Sequence, residues 1–98
     1  MLNPPTGTVT FLFTDIEGST RIAREQPAHW ESARLQHHAI LRDAIEARHG
    51  CVFQIIGDAF CASFHTAGEA LGAVLIAQHA LQQATDWHRA SPFAAQGV

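Results

Sequence analysis

The chain has 98 residues, which allows one compact domain at most, because so short a chain cannot divide its buried surface between two cores. A hydrophobic content of 47% with only 15% charged residues excludes a disordered tail and predicts a folded domain. No apolar run approaches the roughly 20 residues that cross a bilayer, and no basic segment leads into an apolar stretch at the N-terminus. A cytoplasmic protein without membrane segments is therefore expected.

The charge balance argues against a nucleic-acid partner. All six cationic residues are arginines and the formal net charge is −3, whereas nucleic-acid surfaces usually carry a clustered basic excess. The seven histidines lack a metal-ligand spacing and are interpreted as surface or packing residues. Cys51 and Cys61 are expected opposite Phe64 and Gln54 in a hairpin, which predicts reduced core thiols rather than a disulfide.

The first predicted element is a central strand over Thr8–Thr14, a β-branched and aromatic run with apolar residues on both faces. Ser19 or Thr20 is expected to cap a short helix, and Pro27 is expected in the first turn of a longer helix that ends before Gly50. In this longer helix a three- and four-residue spacing predicts one sheet-facing stripe, formed by Trp30, Ala33, His37, Leu41, Ala44 and Ile45.

Two strand-like runs follow at Cys51–Ile56 and Ala59–Phe64. The two residues between them, Gly57 and Asp58, are typical of a type II′ hairpin turn. Regular pairing across this turn predicts a face that packs on the helices, formed by Phe53, Ile55, Phe60 and Ala62.

A capping box at Thr66-Ala67-Gly68-Glu69 predicts the start of a third helix, which runs to about Ala84. Its predicted apolar side comprises Ala67, Ala70, Leu71, Val74, Leu75, Gln78 and Leu81. Residues 85–98 show neither strand nor helix periodicity, so they are predicted to form a poorly ordered tail behind a domain of residues 1–84.

This order of elements predicts an α+β fold of the ferredoxin-like, split β-α-β type. The helical crossover makes the first two strands parallel, and the tight hairpin makes the third antiparallel, so that it fits between them. The carboxyl end of the first strand, at Asp15, and the hairpin tip, at Asp58, then lie at the same edge of the sheet.

Two converging carboxylates with few cations nearby are costly unless protons or a divalent cation such as Mg²⁺ balance their charge. Beside Asp15, the run Ile16–Thr20 leads into a helix, whose free N–H groups favour an anion such as phosphate. Metal and phosphate together suggest a nucleoside triphosphate. On pattern alone, the alternative that Asp15 caps the helix and Asp58 only occupies its turn has similar weight.

The run FLFTDIEGST at Phe11–Thr20 and the later run Ile56-Gly57-Asp58-Ala59-Phe60 resemble the catalytic domain of class III adenylate and guanylate cyclases, most of all its bacterial branch. The resemblance covers about Gly7 to Leu81 and implies the nucleotidyl cyclase fold, truncated after the third helix. It also implies a role in signal transduction, in which ATP or GTP is converted into a cyclic nucleotide and pyrophosphate.

The resemblance further implies which residues bind the substrate and its metals. Two ions, Mg²⁺ or Mn²⁺, would be held by Asp15, Asp58 and the backbone carbonyl of Ile16, one activating the ribose 3′-hydroxyl and the other holding the β- and γ-phosphates. Phosphate contacts would come from the backbone amides of Glu17, Gly18, Ser19 and Thr20.

A purine-reading lysine in the family usually stands three residues before the Gly-Asp pair, and this chain has Gln54 there. Gln54 can hydrogen-bond a base edge without adding charge, and a merely solvated residue is an equally weighted alternative. Regular alternation would place Gln54 with Val52 and Ile56, on the face away from the helices.

Family members are dimers with active sites between subunits, so a second copy or another cyclase domain is the implied partner. An asparagine and an arginine that stabilise the transition state in the family have no counterpart here, since Arg89 lies in a patternless segment. Two hypotheses follow. The chain is an incomplete cyclase domain, inactive by itself, or a cyclase-like module that binds nucleotide or a partner domain in a regulatory protein without turnover.

Overall fold

The computed structural model describes residues 7, 9–16 and 18–84. All six predicted elements are present in this part of the chain: β1 (Thr10–Phe13), α1 (Ser19–Glu25), α2 (Pro27–Ala47), β2 (Cys51–Ile56), β3 (Ala59–Phe64) and α3 (Ala67–Gln83). The predicted tail over residues 85–98 lies outside the described residues. No helix in the described part combines the length and apolar character needed to cross a membrane.

The three strands form one sheet in the order β1-β3-β2. Strand β3 pairs antiparallel with both neighbours, so β1 and β2 run parallel to each other, as the crossover and hairpin predict. The expectation that the first strand is central is wrong for the described sheet. The hairpin inserts β3 into the middle and leaves β1 at an edge, where Phe13 is 68% exposed.

The hairpin turn has the predicted type. The backbone φ angle is +60° at Gly57 and is not positive at Asp58, which matches a type II′ turn and excludes type I′. Ile56 pairs with Ala59 directly across the two-residue loop. Gly57 supplies the positive φ that a side chain would oppose.

A register shift in β2 changes the predicted faces. Val52 pairs with Ala62 and Gln54 pairs with Cys61, so Phe53 is the inserted residue of a β-bulge. Phe53 is 50% exposed and its ring contacts that of Phe11 edge-to-face at 5.9 Å, whereas Val52 packs against the core. The prediction exchanged the places of Phe53 and Val52, because a period of two cannot show where one residue is inserted.

The same shift alters one of the two cysteine positions. Cys61 lies opposite Gln54 as predicted, but Cys51 lies opposite Ser63 rather than Phe64. Both cysteines are free thiols, Cys61 buried and Cys51 half-buried. The prediction of reduced thiols without a disulfide is confirmed.

Helix α2 begins with Pro27 in its first turn and buries the whole predicted stripe. The long side chains of Trp30, Leu41 and Ile45 enter the core between α2 and the sheet. Trp30 is therefore a packing residue, as predicted.

Helix α3 begins at a Thr66 cap whose hydroxyl accepts the Glu69 N–H at 3.1 Å, which confirms the capping box. Its buried side differs from the predicted one. The core positions are the small residues Ala70, Ala73 and Ala77 together with Leu81, whereas Leu71 and Leu75 are 60% and 61% exposed. Alanines allow a close approach between helices, so α3 turns its bulkier residues outward.

Gly50 occupies a buried position between α2 and β2 that leaves no room for a side chain. A Cβ there would overlap the Phe64 ring and lie 2.7 Å from Cγ2 of Ile45. Because both neighbours are buried, we expect Gly50→Ala to lower the free energy of unfolding by about 1–3 kcal/mol. Urea denaturation followed by circular dichroism measures this.

Gly68→Ala provides the matched control for that substitution. A Cβ at Gly68 would meet only Oγ1 of Thr66, at 3.9 Å, and the residue lies in the first turn of α3. Alanine favours a helix over glycine by up to about 1 kcal/mol, so this variant should be neutral or slightly more stable. Equal destabilisation by the two substitutions would contradict the steric account of Gly50.

Candidate metal and phosphate site

Two hydrogen bonds join the end of β1 to the start of β3. The Thr14 N–H donates to the Phe60 carbonyl at 2.9 Å, and the Phe60 N–H donates to Oγ1 of the buried Thr14 at 3.3 Å. We call this pair of bonds the Thr14–Phe60 junction. Asp15 directly follows Thr14 and Asp58 precedes Phe60 by two residues, so the junction brings the backbones of both aspartates to one end of the sheet.

Asp15 is exposed and does not cap helix α1. Its Oδ1 accepts the Ile16 N–H at 2.9 Å, which fixes the orientation of the carboxylate and leaves Oδ2 for a ligand. Ile16 anchors this loop with a fully buried side chain. The alternative that Asp15 serves as a helix cap is therefore wrong.

The N-cap of α1 is Gly18, in the left-handed conformation with φ +70°, and no side chain caps the helix. The expectation that Ser19 or Thr20 is the cap is wrong, because α1 already begins at Ser19. The Ser19 N–H donates to the Ile16 carbonyl at 3.2 Å. This hydrogen bond is long and already uses the Ser19 N–H and the Ile16 carbonyl. A phosphate bound to the Ser19 N–H, or a metal bound to the Ile16 carbonyl, would share that group with it. Glu17 lies outside the described residues.

Asp58 is half-buried at the hairpin tip and lies within electrostatic reach of an arginine on α2. Arg34 forms a short ion pair with Glu31, at 2.6 Å. The hydrogen bond that Arg34 donates to Glu31 raises the pKa of the Arg34 guanidinium, and the charge of Asp58 acts in the same direction. The sequence expectation of few cations near the site missed Arg34, because the crossing of α2 past the hairpin is not visible in sequence spacing.

Within residues 7, 9–16 and 18–84, no three His, Cys, Asp or Glu side chains are grouped to hold a metal ion. The available donors are the carboxylates of Asp15 and Asp58 and the Ile16 carbonyl, all hard oxygen ligands of the kind that Mg²⁺ and Mn²⁺ prefer. Mg²⁺ is commonly held by one or two carboxylates with substrate phosphates and water completing its shell. The donor set therefore fits a metal that binds together with a nucleotide.

Gln54 is exposed on the sheet face away from the helices, as predicted, because it pairs with Cys61 while the flanking Phe60 and Ala62 belong to the core. It also lines a shallow cavity of about 270 Å³ along β2, together with Arg42, Val52, Phe53 and Ile55. Gln54 is thus accessible to a ligand, and its base-reading role stays a prediction.

The split β-α-β sheet, with the backbones of Asp15 and Asp58 at one end, agrees with the resemblance that the sequence carries. The family described as "Adenylate and Guanylate cyclase catalytic domain" matches residues 1–90. The chain belongs to this family of catalytic domains.

Adenylate cyclases of several eukaryotes are similar in sequence. The enzyme of Schizosaccharomyces pombe is 36% identical over 70 residues, which are 71% of this chain and 4% of that protein. The Neurospora crassa enzyme is 37% identical over 68 residues, 69% of this chain and 3% of the relative. Receptor-type adenylate cyclase B of Leishmania donovani is 40% identical over 63 residues, 60% of this chain and 5% of the relative. The chain thus spans only a small fraction of these relatives.

Solved structures share the fold. Adenylate cyclases from Trypanosoma brucei in their monomeric state superpose with TM-scores of 0.79 and 0.77 at 28% and 26% identity, covering 84% and 80% of this chain and 36% and 33% of theirs. A bacterial light-regulated adenylyl cyclase, at 23% identity and a TM-score of 0.69, covers 79% of this chain and 43% of its own and supports the fold alone. The predicted truncated cyclase fold is confirmed.

Proposed function

We propose that this chain forms the metal-binding part of a nucleotidyl cyclase domain that converts ATP or GTP into a cyclic nucleotide and pyrophosphate in signal transduction. The observation that carries this proposal is the Thr14–Phe60 junction, which brings Asp15 and Asp58 to one end of the sheet in a chain of the cyclase family. A second copy of the chain or another cyclase domain would supply the remainder of the active site.

In this proposal, Asp15, Asp58 and the Ile16 carbonyl bind two divalent ions, Mg²⁺ or Mn²⁺. When bound, the ions supply Lewis acidity that activates the ribose 3′-hydroxyl and stabilises the charge of the departing pyrophosphate. The hydrogen bond from the Ile16 N–H orients Asp15 before any ligand arrives.

The triphosphate would contact the backbone amides of Glu17, Gly18, Ser19 and Thr20. Gly18 supports this assignment, because its left-handed backbone has no side chain and no atom of the described residues lies within 4 Å of where a Cβ would stand. A phosphate oxygen can therefore approach the main chain closely. The open position of Gln54 supports a contact to the purine edge from this chain or its partner.

Calorimetric titration tests the proposal directly. The purified chain, at pH 7.5, is titrated with a non-hydrolysable ATP analogue in the presence of Mn²⁺, and again with EDTA in place of the metal. We expect heat of binding only when the metal is present, because the donor set needs phosphate oxygens to complete the metal's shell. Nucleotide binding of equal strength with EDTA would contradict the proposed site.

The 98-residue chain by itself should show no appreciable cyclase turnover. The asparagine and arginine that the family uses in the transition state have no counterpart in it, and the loss of one such electrostatic contact typically costs about 10²–10³-fold in rate. Chromatographic detection of cyclic AMP from Mn-ATP measures this. Rates equal to those of a complete cyclase domain, assayed in parallel, would contradict it.

The runner-up hypothesis is a module that binds nucleotide or a partner domain without turnover. It is distinguished by mixing the chain with a complete cyclase domain whose own metal-binding aspartates have been replaced by asparagine. Restored cyclic AMP formation supports the enzyme, because the chain then supplies the metal site in trans. Nucleotide binding without restored activity favours the binding module.

Substrate preference offers a test of Gln54. In a complete domain that contains this chain, Gln54→Lys should raise the ATP-to-GTP ratio of kcat/KM about 5- to 150-fold if residue 54 contacts the base, since an unpaired buried polar contact costs about 1–3 kcal/mol. Gln83→Lys makes the same exchange at an exposed position at the end of α3 and is the matched control, which should leave the ratio unchanged. An unchanged ratio in both variants would leave Gln54 without a base-reading role.

A further inference from the structure

Arg34 lies on the part of α2 that passes the hairpin tip. Further along this helix the His38 ring meets the Phe60 ring edge-to-face, with centroids 5.0 Å apart, so α2 packs against the start of β3. Nδ1 of His38 is 2.8 Å from the Arg34 carbonyl, one helical turn towards the N-terminus of α2. Because the short connection 48–50 makes α2 and β2 run in opposite directions, this turn leads towards the tip that carries Asp58.

The guanidinium of Arg34 is held in place by an ion pair on the same helix. Its Nη2 donates a hydrogen bond to Oε1 of Glu31 at 2.6 Å. The Arg34 side chain is 31% exposed and that of Glu31 is 63% exposed, so solvent screens the carboxylate more strongly than the guanidinium. The charges of Arg34 and Asp58 interact. Arg34 therefore places a positive charge within electrostatic reach of the hairpin tip.

A positive charge at this place affects the two expected ligands of the site in opposite directions. A divalent ion that arrives alone is attracted by the carboxylates of Asp15 and Asp58 but repelled by Arg34. A triphosphate carries several negative charges, all of which the guanidinium attracts. Guanidinium groups also form short, charge-assisted hydrogen bonds with phosphate oxygens. The same side chain thus opposes the metal ion and favours the nucleotide.

We propose that Arg34 is a triphosphate-binding residue of the candidate metal site, which attracts the nucleotide and weakens the binding of a metal ion alone. This inference rests on the proposed function, since it requires a metal centre at Asp15 and Asp58. It adds a positively charged side chain from α2 to a phosphate site that is otherwise formed by the backbone amides of residues 17–20.

Arg34→Gln tests this role, because glutamine keeps a polar side chain and removes the charge. Binding of Mn²⁺ alone to the purified chain is measured at pH 7.5 by electron paramagnetic resonance. Binding of a non-hydrolysable ATP analogue is measured by calorimetry at saturating Mn²⁺. We expect Mn²⁺ alone to bind about 3- to 30-fold more tightly and the analogue to bind about 3- to 30-fold more weakly, the range for one charge that acts through a partly screened site.

Two further variants separate the charge from other effects of the substitution. Arg34→Lys keeps the charge and should leave both affinities within about 3-fold of those of the unsubstituted chain. Arg48→Gln removes the same charge at the C-terminal end of α2, about 21 Å along the helix from Arg34, where the Arg48 guanidinium lies against Gly72. This control should also change both affinities less than about 3-fold, because solvent screens charges at that distance.

The opposite signs distinguish this role from a structural one. A substitution that merely disturbed the fold would weaken the binding of both ligands together. Changes of the same sign in Arg34→Gln, an unchanged affinity for either ligand, or equal changes in Arg48→Gln would overturn the role of Arg34. Failure of the unsubstituted chain to bind Mn²⁺ and the analogue would instead contradict the proposed function itself, and this inference with it.

Discussion

Replacing Asp15 or Asp58 by asparagine will weaken Mn²⁺ binding to this chain by about 100-fold or more. Asparagine preserves the size of the side chain and one oxygen ligand but removes the negative charge that a divalent cation requires. Groups that merely support metal ligands already cost about 10–100-fold when removed, so loss of a ligand charge should cost at least the upper value. Electron paramagnetic resonance of free Mn²⁺ measures the affinity.

Asp43→Asn is the matched control for both variants. Asp43 is exposed on α2, so the substitution removes the same charge from the chain at a distance from the proposed site. Its Mn²⁺ affinity should change less than about 3-fold, since exposed charges interact weakly through solvent. Losses of equal size in all three variants would show a general electrostatic effect and would contradict a metal site at Asp15 and Asp58.

A variant that carries both Asp15→Asn and Asp58→Asn tests whether the two aspartates bind the same metal centre. If Asp15 and Asp58 bind the same metal centre, the second substitution should add less than its effect alone, because the first has already destroyed the site. Fully additive losses would indicate two separate weak sites. Circular dichroism should show unchanged folding, since Asp15 is exposed and, among the described residues, its side chain accepts a hydrogen bond from the adjacent Ile16 amide.

The topology could be predicted from the sequence because its signals are local. A two-residue Gly57-Asp58 turn requires an antiparallel hairpin, and the helical crossover before β2 makes β1 and β2 parallel. These two features give the strand order β1-β3-β2. In this order the carboxyl end of β1 and the tip of the hairpin lie at the same end of the sheet. The placement of Asp15 and Asp58 at one end of the sheet is therefore a consequence of connectivity rather than of any single motif.

The remaining features depend on packing that has no period. The bulge at Phe53 preserves the alternation of apolar residues, so it is invisible until β3 shows which residue of β2 lacks a partner. The buried side of α3 follows from how closely it approaches α2, which favours Ala73 and Ala77 over the larger Leu75. Hydrophobicity alone would predict that Leu75, rather than Ala73 and Ala77, is buried.

The electrostatic features of the site also depend on packing that residue spacing does not show. The Arg34 charge reaches Asp58 because the fold brings α2 near the hairpin tip, and residue spacing along α2 does not predict this proximity. His37 was correctly assigned to the buried stripe, but its lowered pKa depends on complete burial and on His38 beside it. The interpretation of the histidines as surface or packing residues holds for His37, which is a packing residue, but it does not predict the lowered pKa.

The second large effect is expected from truncation of the Phe60 side chain. Phe60 is fully buried, packs against the imidazoles of His37 and His38, and carries the backbone of the Thr14–Phe60 junction. Truncation of a buried phenylalanine to alanine typically costs about 3–5 kcal/mol, the sum of lost burial and the cavity left behind. Small domains have only about 5–15 kcal/mol of stability in total. Phe60→Ala should therefore remove a large part of the chain's free energy of unfolding at 25 °C.

Phe13→Ala removes the same atoms from the exposed face of the sheet and serves as the control. Phe13 is 68% exposed, so this variant should change the free energy of unfolding by no more than about 0.5 kcal/mol. Urea denaturation followed by the fluorescence of the buried Trp30 reports both transitions. Equal losses would mean that the exposed face contributes as much as the core, and the central role of Phe60 in holding β1, α2 and β3 together would be wrong.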